Sequence, residues 1–184
     1  MLRRQGYNTI SENSPILPMA ILDDTTLDFI SSSTEQSIRL GVRLGELLQV
    51  GDLICLSGEL GTGKTTFAQG IGRGWGANQG VTSPTFVLVN EYPKMRGNAT
   101  LYHIDCYRLD TPTDIFTAGI EDVLDRESTI MIEWPERIIS LLPDDRFWLD
   151  LRFINETKRG LRFKADGDRA SQLLRDFRKS AFGV

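Results

Sequence analysis

The chain has 184 residues, of which 40% are apolar and 25% charged, as expected for one globular domain that can bury a core. Its net charge of −4 gives no overall attraction for nucleic acid, and no apolar run approaches the ~20 residues that span a bilayer. The two cysteines, Cys55 and Cys106, match neither a metal-site spacing nor a disulfide-rich secreted scaffold, so we expect buried reduced thiols in a cytoplasmic protein.

The first elements are a loosely ordered N-terminal extension, residues 1–24, and the start of a single domain, residues 25–184. A short strand is predicted at Thr26–Ile30. Ser33 and Gln36 then have the spacing of a capping box, which predicts the start of a helix that ends near Gly51. The apolar face of this helix consists of Ile38, Val42, Leu44, Leu47 and Leu48.

A phosphate-binding loop is predicted next. The apolar residues 53–56 suit a buried strand, and the pattern Gly58-x-x-x-x-Gly63-Lys64-Thr65 joins them to a helix. Glycines in such a loop let successive backbone N–H groups turn towards phosphate oxygens, and the start of the helix adds further donors. Lys64 would reach the β- and γ-phosphates, and the Thr65 hydroxyl would hold Mg²⁺.

The helix after this loop is expected to end near Trp75, because the glycines at 70, 72, 74 and 76 weaken it. Thr82, Ser83 and Thr85 form either a segment that senses the γ-phosphate or an ordinary turn before a strand. Strand patterns over 86–92 and 100–109 are joined by a short turn and predict an antiparallel pair.

The second half predicts a partly helical stretch at 112–124, a buried strand from Thr129 that ends in a carboxylate, and a brief helix at 135–141. Alternating patterns at 147–154 and 161–165 predict a hairpin. A C-terminal helix follows, with Asp168 as its cap. Its cations are expected either to face solvent or to contact a small partner or RNA; they are Arg169, Arg175, Arg178 and Lys179.

Intermixed helices and strands with two antiparallel pairs predict an α/β, phosphate-loop NTPase-like fold of three layers. Its sheet should mix parallel and antiparallel strands.

Three further residues are candidates for chemistry. Glu133 ends a buried strand at the edge where ligands collect in open α/β sheets, so it could ligate Mg²⁺ or polarise a water molecule. Asp105 stands in an otherwise apolar strand pattern, as a catalytic group or as one half of a structural ion pair. His103 shares the face of Asp105, and is either catalytic or a satisfied hydrogen-bonding group.

Taken together, four segments resemble the TsaE (YjeE) family of small bacterial ATPases. They are residues 58–67, the Ser83-Pro84-Thr85-Phe86 segment, the His-x-Asp-x-Tyr-Arg element from His103 to Arg108, and the Glu-Trp-Pro element at 133–135. The resemblance covers about Thr26 to Gly167. It implies an ATPase that supports threonylcarbamoyl modification of tRNA adenosine 37 by docking on TsaD-type and TsaB-type proteins, with tRNA contacted through those partners.

The resemblance also implies a site. Lys64, Asp105 and Glu133 would act in hydrolysis, and Thr65 and Glu133 would bind Mg²⁺. ATP would be held by these loop residues together with Thr34 and Arg159: Gly58, Glu59, Leu60, Gly61, Thr62, Gly63, Lys64, Thr65 and Thr66.

Two other activities use the same kind of loop. A phosphotransferase acting on a small molecule would need a lid arginine and an acceptor pocket, and no arginine-rich lid segment is visible. A GTP-dependent switch would carry Asn-Lys-x-Asp and Asp-x-x-Gly, and the sequence has neither.

Overall fold

The computed structural model describes residues 19–84, 88–109, 111, 114, 119–124 and 128–184. Within them one sheet of eight strands runs in the order β1-β2-β8-β7-β3-β6-β5-β4. The strands are Met19–Asp23 (β1), Thr26–Ser31 (β2), Leu53–Ser57 (β3), Val89–Pro93 (β4), Thr100–Asp105 (β5), Thr129–Glu133 (β6), Arg146–Phe153 (β7) and Arg159–Asp166 (β8).

The sheet has a parallel centre and antiparallel sides. Strands β7, β3, β6 and β5 are parallel neighbours. The pairs β1–β2, β2–β8, β7–β8 and β4–β5 are antiparallel. This confirms the predicted mixed sheet, including both predicted antiparallel pairs.

Helices cover both faces of the sheet and complete the three layers. Thr34–Leu47 (α1), Lys64–Trp75 (α2) and Asp168–Phe182 (α4) pack on one face, against side chains that include Ile54 and Leu56. Ile120–Leu124 (α3) and the 3-10 helix Pro135–Leu141 pack on the other face, against Leu53 and Cys55. Successive side chains of β3 alternate between the two faces of the sheet, and the helices on each face bury them. Among the described residues no helix is both long and apolar enough to cross a bilayer.

The N-terminal boundary differs from the prediction. Met19–Asp23, expected to be loosely ordered, is strand β1 and pairs with β2. Residues 1–18 lie outside the described part of the chain. The sequence of β1 has too few alternating residues to reveal a strand whose existence depends on pairing with a neighbour.

One other predicted element boundary changes. Strand β5 ends at Asp105 rather than near residue 109, so Asp105 closes the strand instead of lying inside it. The predicted partly helical stretch 112–124 contains the helix Ile120–Leu124, and 112–113 and 115–118 lie outside the described residues.

The N-terminus of α4 is capped by a residue that is distant in the sequence, Asp145. Asp168 is the first helical residue and not the cap, and Gly167 precedes it. The Asp145 carboxylate instead accepts hydrogen bonds from the backbone N–H groups of Arg169 (3.0 Å) and Ala170 (2.9 Å). The cap therefore comes from a residue that local sequence cannot identify.

The predicted solvent-facing cations of α4 separate into two kinds. Arg175 and Lys179 are exposed, as expected. Arg169 instead forms a two-point ion pair with Asp52, with nitrogen–oxygen distances of 2.7 and 2.6 Å. Arg178 is buried and donates to the carbonyl of Asp23 (2.6 Å) and that of Thr26 (2.9 Å). These two arginines fix the helix against the sheet.

Helices α1 and α2 cross through glycines. A Cβ atom on Gly45 would lie 2.2 Å from the carbonyl oxygen of Ile71, and one on Gly74 would lie 2.0 Å from that of Val42. Glycines that weaken α2 in isolation therefore bring its backbone against α1. The position of the phosphate loop depends on this contact, because α2 begins at the loop.

We predict that Gly74→Ala destabilises the protein by about 1–3 kcal/mol, although alanine favours a helix, because the added methyl group overlaps a backbone carbonyl that has no room to move. Chemical denaturation measures the change in the free energy of unfolding. Gly80→Ala is the matched control, since a Cβ there would meet nothing within 4 Å, and it should not lower stability. Equal effects at both positions would contradict the tight crossing.

We also predict that neither thiol reacts with a disulfide reagent in the folded protein at pH 8. Cys55 and Cys106 are fully buried, and burial raises both pKa values, that of Cys106 to about 12, so the reactive thiolate is scarce. A colorimetric thiol titration should count no fast-reacting groups before denaturation and two afterwards. One fast-reacting thiol in the native protein would contradict this burial.

Candidate functional site

The predicted phosphate loop and the two predicted acids meet at one edge of the sheet. Strands β3, β6 and β5 are parallel neighbours, with Glu133 paired to Leu56 on one side and to Asp105 on the other. The loop follows β3 directly. A cleft of about 560 Å³ lies at this edge. Eight of the predicted site residues line it: Leu60, Gly61, Gly63, Lys64, Thr65, Thr66, Asp105 and Glu133.

The shape of the loop requires glycine at its two ends. Gly58 has φ +135°, and a Cβ there would lie 2.3 Å from the carbonyl oxygen of Leu151 on β7. Gly63 has φ +101° and forms the N-cap of α2. Both backbone conformations disfavour any side chain, so the glycine spacing of the motif follows from the geometry.

Lys64 is folded back over the loop. Its Nζ donates to the carbonyl of Gly58 (2.7 Å) and that of Glu59 (2.9 Å), and lies 4.0 Å from the centre of the Trp134 ring. Burial lowers the pKa of Lys64, while the carboxylates of Glu133, Asp105 and Glu136 act in the opposite direction. The ammonium is thus held at the mouth of the loop by carbonyls, a ring face and nearby negative charge.

Glu133 is buried and bonded through both oxygens. Its Oε2 accepts a hydrogen bond from the Thr65 hydroxyl at 3.2 Å, and its Oε1 lies 3.0 Å from Nε2 of His103. Only 3% of Glu133 is exposed, so its charge depends on these partners for solvation. His103, for which catalysis and hydrogen bonding were both open, lies behind Glu133 and does not line the cleft.

Asp105 is held at the end of β5 by local partners. Its Oδ2 accepts from the Ser83 hydroxyl at 3.2 Å, and its Oδ1 accepts from the backbone N–H of Tyr107 at 3.0 Å. The residue before Ser83 is fixed in turn, because the Thr82 backbone N–H donates to the Tyr92 hydroxyl at 3.1 Å. Ser83 therefore belongs to the site. Thr85 lies outside the described residues.

Three other loop residues, Gly58, Glu59 and Thr62, make contacts within the loop. Gly58 and Glu59 supply the two carbonyls that Lys64 contacts. Thr62 is buried, and its hydroxyl donates to the carbonyl of Glu59 at 2.8 Å. These contacts make the loop rigid.

Arg159 contacts the loop, and neither Arg159 nor Thr34 lines the cleft. The Nε of Arg159 donates to the carbonyl of Thr62 at 3.1 Å, and its guanidinium stacks on the Phe153 ring at 4.8 Å. Thr34 is the exposed first residue of α1, three residues after Ser31, which pairs with Arg159 across β2 and β8. Neither residue is among those that line the cleft in the described part of the chain.

Two residues of the sequence motifs, Tyr107 and Trp134, also line the cleft, and Glu136 is a neighbouring acid that those motifs do not include. Tyr107 lines the cleft with its ring 5.1 Å from that of Trp134. Trp134 has φ +58°, a left-handed conformation rare for a bulky residue, and this places its ring over Lys64. Glu136 accepts a hydrogen bond from Ser57, the last residue of β3. The sequence signal that could have identified Glu136 was its position three residues after Glu133, directly after Pro135.

The side chains fit a magnesium–polyphosphate group. Among the described residues no cluster of three or more His, Cys, Asp or Glu side chains could hold a metal ion alone. A hydroxyl and a carboxylate, Thr65 and Glu133, lie in contact, which suits Mg²⁺ because this ion is usually bound by few protein ligands plus phosphate oxygens. The loop amides and Lys64 could supply the matching phosphate contacts.

Comparisons with known proteins identify the family. The family model described as "Threonylcarbamoyl adenosine biosynthesis protein TsaE" matches residues 31–161. A tRNA threonylcarbamoyladenosine biosynthesis protein TsaE from Streptomyces coelicolor is 43% identical over 119 residues, covering 64% of this chain and 80% of that protein. The protein of the same name from Treponema pallidum is 37% identical over 130 residues, covering 71% of this chain and 94% of its own length.

A solved structure is similar along most of the chain. The crystal structure of YdiB from Bacillus subtilis superposes with a TM-score of 0.67 and 26% sequence identity, covering 84% of this chain and 95% of that one. The two chains therefore share one fold over most of their length.

Proposed function

This chain belongs to the TsaE family of threonylcarbamoyl adenosine biosynthesis proteins, and on that premise we propose that it binds Mg·ATP at the phosphate loop and hydrolyses it. Through this cycle it supports the threonylcarbamoyl modification of adenosine 37 in tRNA. The relatives that carry the tRNA threonylcarbamoyladenosine biosynthesis name match 64% and 71% of this chain.

One observation carries the ATPase proposal. Lys64 and Thr65 begin α2 and Glu133 ends β6, yet their ammonium, hydroxyl and carboxylate groups meet within one cleft, with Thr65 bonded to Glu133 at 3.2 Å. An ammonium, a hydroxyl and a carboxylate beside a ring of loop amides match the chemistry of a terminal phosphate and its metal ion. A purely structural loop would not need a buried lysine at that point.

Each residue has a distinct role in the proposed reaction. The loop amides and the Lys64 ammonium would bind the β- and γ-phosphates, exchanging the Gly58 and Glu59 carbonyls for phosphate oxygens. Thr65 and Glu133 would hold Mg²⁺, which neutralises phosphate charge when it is bound. Asp105, fixed by Ser83 and Tyr107, would orient the attacking water.

Basal hydrolysis should be slow. Among the described residues, Arg108 is the only arginine that lines the cleft and could act as an arginine finger. Its guanidinium donates a hydrogen bond to the carbonyl of Pro84 at 3.4 Å. A phosphate-loop enzyme without an arginine finger turns over at about 3–5 × 10⁻⁴ s⁻¹, and one with the arginine in its own chain at about 10⁻² s⁻¹. We propose that docking on TsaD-type and TsaB-type proteins couples this ATPase to the tRNA-modifying transferase.

The acidic balance of the chain argues for an indirect tRNA contact. With a net charge of −4, the chain does not have the overall positive charge that favours binding to a phosphate backbone. The partner complex would therefore hold the tRNA. Because tRNA modification takes place where tRNA is made and used, the proposal places the protein in the cytoplasm.

We predict that Lys64→Ala abolishes ATP hydrolysis, through loss of the only ammonium placed at the loop mouth in the described structure. Release of inorganic phosphate from ATP measures the activity. Lys94→Ala is a matched control, because Lys94 also lies 4.0 Å over a tryptophan ring, that of Trp75, but far from the loop. It should retain activity, and normal turnover by Lys64→Ala would overturn the proposal.

The fate of the γ-phosphate separates hydrolysis from small-molecule phosphorylation. ATP labelled on the γ-phosphate, incubated with the protein and a metabolite extract, should yield label in inorganic phosphate alone. Label transferred to a metabolite would support a kinase that uses the same site.

We further predict that the protein is retained by immobilised TsaD and TsaB homologues when Mg·ATP is present and released when ADP replaces it, because the γ-phosphate contacts would order the cleft that faces the partner. Co-purification followed by gel analysis measures retention. Absence of retention with either nucleotide would remove the partner part of the proposal and leave the ATPase part standing.

A further inference from the structure

His103 is a fully buried polar residue behind the proposed metal ligand. It lies in β5, an inner strand between β4 and β6, where it pairs with Asn90 on one side and Met131 on the other. None of its surface is exposed. Its described polar contact is the 3.0 Å bond between its Nε2 and Oε1 of Glu133.

The surroundings of the ring determine which nitrogen carries the proton. Nδ1 is buried and has no hydrogen-bond partner among the residues that the structure describes. A proton on Nδ1 would therefore be a buried donor without an acceptor, which is unfavourable. The tautomer that satisfies the site carries its proton on Nε2 and donates it to Glu133.

This bond fixes the direction of the carboxylate. With Oε1 held by His103, the second oxygen of Glu133 points to Thr65, whose hydroxyl lies 3.2 Å from Oε2. The terminal torsion of a glutamate is broad and has no strong preference of its own, so an anchored oxygen sets the orientation that the other oxygen presents. The backbone gives no further freedom, because both strands are paired on both sides.

We infer that His103 is a positioning residue: it donates a hydrogen bond from Nε2 to Glu133 and so keeps the other carboxylate oxygen directed at the Thr65 side of the metal site. The inference rests on the proposed Mg·ATP site. In protein metal sites a ligand's hydrogen-bonding partner holds its orientation, and its loss typically weakens metal affinity by 10–100-fold.

Manganese affinity tests this role without relying on turnover. Mn²⁺ would be titrated into the whole protein with the non-hydrolysable ATP analogue adenylyl imidodiphosphate, and free Mn²⁺ would be followed by electron paramagnetic resonance. His103→Phe fills the space without a donor and should weaken Mn²⁺ binding by about 10–100-fold. Binding of the analogue's nucleotide part, measured without metal, should change much less.

Two amide variants distinguish positioning from packing. His103→Gln can place its side-chain NH₂ near the position of Nε2 and should restore affinity, whereas His103→Asn reaches only the Nδ1 position and should resemble His103→Phe. Thermal unfolding midpoints recorded for the same samples identify any variant that has lost its fold. If His103→Phe does not fold, the comparison of the two amides decides.

A double-mutant cycle closes the test. In a Glu133→Gln background the further change His103→Phe should leave Mn²⁺ affinity unaltered, because the oriented charge is already gone. Wild-type Mn²⁺ affinity in a folded His103→Phe variant would overturn the inference alone. A wild-type protein that binds neither Mn²⁺ nor the analogue would overturn the proposed function as well.

Discussion

The structure depends on the parallel pairing of β3, β6 and β5 at the centre of the sheet. Parallel strands end at the same edge, so the phosphate loop after β3, Glu133 at the end of β6 and Asp105 at the end of β5 become neighbours although 28 to 75 residues separate them. The antiparallel strands at either side, and the helices on both faces, shield this pairing from water. The order of the parallel strands therefore brings the site residues together.

Charge balance within the cleft follows from that arrangement. Lys64 lies near the carboxylates of Glu133, Asp105 and Glu136, so its one buried ammonium offsets part of their negative charge. Such a collection of buried and half-buried charges costs stability unless each charge has hydrogen-bond partners. Glu133 has Thr65 and His103, Asp105 has Ser83 and Tyr107, and Lys64 has two loop carbonyls and the Trp134 ring.

Much of this arrangement could be predicted from the sequence, because its signals are local. The glycine spacing of the loop, the buried strand that ends in Glu133 and the two hairpin patterns each occupy a few consecutive residues, and the fold confirms all of them. The family relationship was also visible in short motifs. The assignment of individual side chains to nucleotide and metal, including Thr34 and Arg159, stays a prediction.

Other features depend on partners distant in the chain, and local patterns could not reveal them. The cap of α4 comes from Asp145, the Arg169 guanidinium is held by Asp52 across 117 positions, and Ser57 reaches Glu136 across 79. The glycines of α2 looked like weak points of a helix because their purpose, a close crossing with α1, exists only once both helices are packed. Strand β1 likewise needs β2 beside it.

Equilibrium dialysis with labelled ATP is the decisive experiment for the phosphate loop, because it measures nucleotide binding without assuming catalysis or a partner. If the phosphate loop binds Mg·ATP, the protein should saturate at one ATP per chain in the presence of Mg²⁺. It should bind ATP much more weakly once the metal is chelated. No retained ATP at millimolar concentrations, or binding that ignores Mg²⁺ and survives loss of the Lys64 ammonium, would contradict it.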